Sequence, residues 1–170
     1  MRIAAGLLLG TAVAALAGPA AAKIDVTYAQ PERYTDANLR GGYGEKARAP
    51  ALDALRKQFE ALAARYVKPE LTLSITVTDL DLAGHFEPWR ANAYDVRFLR
   101  EVTPPRIKLA YVLRQGDVVL GQAEETVSDI DYLTRIDARL RDDPLRYEKA
   151  MLEEWFRRKF GLVASQSHIQ

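Results

Sequence analysis

Six side chains in two short stretches are of the types that bind metals or move protons. In TDLDLAGHFEPW they are Asp79, Asp81, His85 and Glu87; in SDID they are Asp129 and Asp131. On a regular strand Asp79 and Asp81 project to one side. Paired carboxylates suit a hard cation, but a Ca²⁺ site takes about six or more oxygens, so the second D-x-D would have to converge on the first. With convergence, Asp79, Asp81, His85 and Asp129 would define a metal-assisted hydrolase. His85 and Glu87 offer two zinc ligands, whereas a catalytic zinc usually has three protein ligands and a structural one four. Spacing reveals no third. The competing reading is local: Asp ends strands and caps loops by accepting from nearby backbone N–H groups, and Gly84–His85 forms a turn. That reading requires neither metal nor cofactor, and the weak D-x-D pattern favours it.

Other catalytic constellations are missing from the sequence. There is no cysteine, which excludes disulfides, thiolate nucleophiles and Cys-ligated metals. No G-x-S-x-G elbow, G-x-G-x-x-G turn or phosphate loop occurs. The sequence thus leans away from an enzyme and towards a binding surface. Two stretches carry Arg with aromatics: Arg33, Tyr34, Arg40, Tyr43 and Arg48, then Phe86, Trp89, Arg90, Tyr94 and Arg97. Trp, Tyr and Arg dominate binding hot spots, so Arg33, Tyr34, Tyr43, Phe86, Trp89, Arg90 and Tyr94 are the binding candidates. Large aromatics more often contribute packing area, which favours Tyr34 and Trp89 folding back as lids on the core.

These residues sit between regular elements. Lys23–Tyr28 alternates as a half-buried strand. Residues 29–49, with Pro31 and three glycines, read as a long loop. Pro50 opens a helix whose apolar stripe is Leu52, Leu55, Phe59, Leu62, Ala63 and Tyr66; Lys68–Pro69 ends it. Leu71–Leu82 is a strand whose parity flips near Thr78–Asp79, which a one-residue bulge would repair. A loop spans residues 83–103. Arg106–Arg114 and Asp117–Val127 form a hairpin around Gly116. Asp143–Pro144 caps a last helix with Leu145, Met151, Leu152, Trp155, Phe156 and Phe160 on its apolar face. Gly161 is the expected stop, leaving 161–170 as a frayed tail. The order β–α–β–β–β–α implies an α+β two-layer sandwich: an antiparallel sheet with both helices on one face.

Residues 1–22 read differently. Arg2, an apolar run from Ile3 to Leu16, Gly18–Pro19 and Ala20–Ala22 have the layout of a secretory signal cleaved after Ala22. The run is too short to span a bilayer. The expectation is an exported protein, periplasmic or secreted, with a single domain over 23–170 and no membrane span after cleavage. Cleavage removes Arg2 and takes the formal charge of +1 to about zero. Nothing in that balance favours nucleic acid. An envelope protein or a glycan is the kind of partner that fits.

ERYTDA (32–37), LTLSITVTDLDLAGHFEPW (71–89), PRIKL (105–109), VSDIDYL (127–133) and DPLRYEKAMLEEWF (143–156) together resemble a bacterial family of short exported proteins, domain of unknown function 3016. The resemblance spans nearly the whole chain beyond the signal and implies no activity. The combined reading is an exported binding or envelope-accessory module. The metal-assisted hydrolase is one alternative. A subunit that self-assembles through a sheet edge is the other.

Overall fold

The computed structural model describes residues 22–165, with side chains to Gly161; the signal segment and its cleavage point before Lys23 lie outside the described residues or at their edge. The chain forms β1 (Lys23–Tyr28), α1 (Glu45–Tyr66), β2 (Thr72–Asp81), β3 (His85–Phe86), β4 (Arg97–Phe98), β5 (Arg106–Gln115), β6 (Val118–Ser128), α2 (Ile136–Arg139) and α3 (Arg146–Ser165). It is an α+β fold. The main sheet has the order β1-β2-β5-β6, and β3 pairs with β4 in a separate ribbon.

The sheet is mixed rather than wholly antiparallel. β1 runs parallel to β2, because α1 carries the chain back to the end from which β1 started. A parallel pair needs such a crossover. The pairs β2–β5 and β5–β6 are antiparallel. The bulge expected from the parity flip is present: the register shifts between Val77 and Asp79. Leu73, Ile75 and Val77 face the core before it, and Leu80 and Leu82 after it. Asp79 and Asp81 therefore keep to the opposite face. Gly116 has φ +56° in the hairpin turn between β5 and β6, a left-handed conformation that suits glycine.

α1 and α3 pack together on the core face. Leu55, Phe59, Leu62 and Ala63 of α1 meet Met151, Leu152, Trp155, Phe156 and Phe160 of α3 within one apolar cluster. Phe59 and Phe156 lie 6.2 Å apart, and Tyr111 of β5 meets Trp155 edge-on at 5.8 Å. The Trp155 Nε1–H donates to Glu125 at 2.9 Å, so the buried indole keeps a polar partner. A smaller cluster of Ala83, Tyr132, Ala138, Tyr147 and Ala150 closes the α2 end.

Three boundaries differ from the sequence reading. α1 begins at Glu45, and Pro50 lies inside it; tertiary packing of Ala51 and Leu55 offsets the single backbone bond that proline forfeits. The 83–103 loop contains the β3–β4 ribbon. Gly161 does not stop α3, which runs on to Ser165. A glycine costs about 1 kcal/mol within a helix, too little to end one alone. The start of α3 follows the expected chemistry, with the Asp143 carboxylate accepting from Leu145 N at 2.8 Å.

Candidate functional site

The 29–44 segment is held against β2 from Ala29 to Asp36. Ala29 N donates to Val77 O at 2.9 Å, Asp36 N to Leu80 O at 2.9 Å and Leu82 N to Asp36 O at 3.0 Å. Between these points the segment lifts away in the short turn Pro31–Arg33. Tyr34 folds back and its hydroxyl donates to Val77 O at 2.8 Å. Burial, followed by the nearby Asp79 carboxylate, pushes its phenol up to about 12. Asp79 is the clamp: it accepts from Thr35 N at 2.8 Å and Thr35 Oγ1 at 3.0 Å, and Lys108 Nζ lies 3.2 Å away. Burial opposes the charge, but the Thr35 hydrogen bonds and Lys108 outweigh it and hold the carboxyl below its ordinary value.

The 87–96 segment is anchored by charge. Glu87 is buried and forms ion pairs with both Arg90 and Arg100. Arg97 joins the two segments. One of its terminal nitrogens donates to Gly84 O at 2.6 Å and Ala83 O at 3.2 Å. The other donates to Asp36 Oδ2 at 2.9 Å and Asn38 O at 2.8 Å, while the guanidinium lies over the Phe86 ring. A second seam forms where Gly41 N donates to Asp95 Oδ1. A Cβ at Gly41 would sit 2.8 Å from Tyr94 O, so the approach requires glycine.

The result is an open groove of about 770 Å³ between the two segments, lined by Thr35, Asp36, Tyr43, His85, Trp89 and Tyr94 among others. Tyr43, Trp89 and Tyr94 are 94%, 77% and 73% exposed. Small-ligand sites typically measure ~300–1,000 Å³, so the groove is of that order. The expectation that Trp89 packs back as a lid is overturned: it stands exposed in the turn that Arg90 N closes by donating to Glu87 O at 2.9 Å. Tyr34 does behave as a lid. Of the other binding candidates, Phe86 lines the groove. Arg33 donates to Gln30, outside the groove, and Arg90 lies over Phe98 while paired with Glu87.

The carboxylates singled out in the sequence go separate ways. Asp129 pairs with Arg135 and accepts from Asp131 N at 3.2 Å. The Asp131 carbonyl starts a turn, accepting from Thr134 N at 2.9 Å. Asp81 is half-buried; burial raises its carboxyl, with neighbouring His85 opposing and Asp36 reinforcing that rise. His85 is exposed on β3. Among the described residues no three His, Asp or Glu side chains are grouped to hold a metal ion.

Glu148 and the joining role of Arg97 were not singled out from the sequence. Glu148 lies three residues from both Leu145 and Met151, on the apolar stripe of α3. That placement was the available signal that it is buried.

The fold and these anchors define an α+β domain presenting a pre-shaped groove. The chain belongs to the family described as Protein of unknown function (DUF3016), which it matches over residues 22–158. No curated protein matches it. Among solved structures it is similar to a Xanthomonas campestris protein of the DUF330 family. That likeness has 16% identity and a TM-score of 0.36, and covers 89% of this chain and 93% of the other. Among the described residues no helix is long and apolar enough to cross a membrane.

Proposed function

We propose that the protein is an exported binding module whose groove takes a glycan of the cell envelope. The observation that carries this is the trio Tyr43, Trp89 and Tyr94, exposed around one groove while both supporting segments are tied down. Exposed aromatic faces stack on the C–H faces of sugar rings. Asp36, Asn38, Thr35 and His85 border the same groove and supply partners for hydroxyl groups. Rigid anchors reduce the ordering cost of binding. The expected signal segment would place the domain, periplasmic or secreted, where such glycans occur. Calorimetric titration of the purified protein with soluble envelope oligosaccharides should give saturable binding. Trp89→Ala should weaken it at least tenfold, about 1.4 kcal/mol. Binding that ignores Trp89→Ala, Tyr43→Ala and Tyr94→Ala would place the ligand elsewhere.

A second reading, self-assembly, has its own support. β6 ends the sheet order, and Val118, Val119 and Leu120 on it are exposed. An unpaired edge of that kind templates pairing with another chain. Sedimentation across a wide concentration range tests it: a persistent monomer excludes the reading, and a dimer lost on Val119→Lys supports it.

A further inference from the structure

The aromatic groove continues past Tyr43. That residue also lines a second open cleft, of about 690 Å³, together with Arg40, Lys46, Pro50 and Pro144 among others. Gly41, Gly42 and Tyr43 line both clefts, so the two share a stretch of bare backbone. Neither glycine tolerates a side chain well. A Cβ at Gly41 would sit 2.8 Å from Tyr94 O, and Gly42 has φ +133°, a conformation that strains any other residue. The passage between the clefts is therefore not divided by a side chain from either position.

The charges narrow the ligand's chemistry. Among the described residues the only carboxylate lining either cleft is Asp36, and Arg97 neutralises it at 2.9 Å. Glu45 and Asp95 line neither, and Asp95 accepts from Gly41 N. Arg40 and Lys46 line the second cleft and are exposed. Their side chains form no hydrogen bond or ion pair among the described residues. Arg90, Arg97 and Arg100 contrast with them, each held by a carboxylate. One unpaired surface cation is ordinary. Two in a cleft without a carboxylate, opening into an aromatic groove, give that groove a positive end. We propose, building on the glycan reading of the groove, that its ligand is an acidic glycan. Sugar rings stack on Tyr43, Trp89 and Tyr94, and a carboxylate or phosphate carried by a ring is bound by Arg40 and Lys46. The guanidinium fork matches either oxyanion with paired hydrogen bonds, and the ammonium adds a point charge.

The test is calorimetric titration of the purified protein with three sugars. The first is a neutral N-acetylglucosamine tetrasaccharide. The second alternates N-acetylglucosamine with N-acetylmuramic acid, which carries a carboxylate. The third is a glucosamine disaccharide bisphosphate. Inorganic phosphate and acetate serve as controls. At least one acidic sugar should bind roughly tenfold tighter than the neutral one, and the tighter of the two identifies the anionic group. Arg40→Gln and Lys46→Gln should each weaken that binding roughly threefold, and together roughly tenfold, with the neutral tetrasaccharide unaffected. In the unaltered protein, raising the salt from about 0.01 to about 1 M shortens the screening length from about 30 to about 3 Å. This should weaken the acidic sugar alone, and it keeps the test valid if a variant fails to fold. Equal affinity for neutral and acidic sugars, both lost in Trp89→Ala, would overturn the acidic-glycan proposal and leave the groove reading standing. Inorganic phosphate or acetate binding as tightly as the acidic sugars would also overturn it, reducing the second cleft to a plain anion site. No binding of any of the three sugars would overturn the groove reading itself.

Discussion

Replacing Asp79 by alanine separates the structural role of this carboxylate from a cation-binding one. The side chain ties the bulge of β2 to Thr35 through two hydrogen bonds, at 2.8 and 3.0 Å. Hydrogen bonds to a charged group contribute about 1.5–3 kcal/mol each. Thr35 is exposed, so water recovers much of that on truncation. Lys108 is 57% exposed, and a surface pair of that kind adds little. The expected loss is about 1–2 kcal/mol. At roughly 2–4 °C per kcal/mol, the midpoint falls by about 2–8 °C. Acid titration adds a sign. The folded-state carboxyl lies below its ordinary 3.8, so its contribution is complete above that pH and vanishes as pH falls through the folded value. Asp79→Ala should flatten that limb. Thermal and acid unfolding by circular dichroism measures both effects. An unchanged midpoint and acid limb would refute the clamp. A saturable rise of the midpoint with Ca²⁺ or Mn²⁺, absent in the variant, would show that the carboxylate serves a cation instead.

Three further outcomes are expected. Gly84 has φ +74°, and a Cβ there would lie 2.4 Å from Phe98 O, so Gly84→Ala should destabilise the domain by about 2–4 kcal/mol, read as a lower urea midpoint at unchanged slope. The buried Glu148 carboxyl is raised above its ordinary 4.5, so its contribution is complete below that pH and is lost as pH rises through the folded value; Glu148→Gln should flatten the stability profile above pH 4.5, and an identical profile would refute this. Glu87→Gln leaves Arg90 and Arg100 without their shared carboxylate, so hydrogen exchange across 87–96 should accelerate while the core amides of β2 and β5 hold.

The sequence carried the elements well where periodicity was strong. Leu71 to Val77 alternate strictly, and the parity break at Thr78 predicted the bulge that the register shows. The direction of β1 was not legible, because alternation within a strand is the same whichever neighbour it joins. The start of α1 was misplaced at Pro50 since proline is a helix-start signal by local sterics alone, and the packing of Ala51 and Leu55 outweighed it. In the candidate site, Tyr43, Trp89 and Tyr94 were recognisable by type, but their convergence depends on Arg97 and the Gly41–Asp95 seam, contacts between segments more than fifty residues apart. The acid-rich stretches looked like one cluster because sequence spacing conceals which arginine or backbone group each carboxylate meets.

The most direct test of the proposed groove uses its own reporter. The chain has two tryptophans; Trp155 is 2% exposed and Trp89 is 77% exposed. Trp155→Phe keeps the core apolar and leaves Trp89 as the only indole. Its fluorescence should then be followed during titration with soluble oligosaccharides from the bacterial envelope. A saturable blue shift, with an affinity matching calorimetry of the unaltered protein, is the predicted result. A spectrum that stays water-exposed throughout, in a variant that still unfolds cooperatively, would contradict glycan binding in this groove.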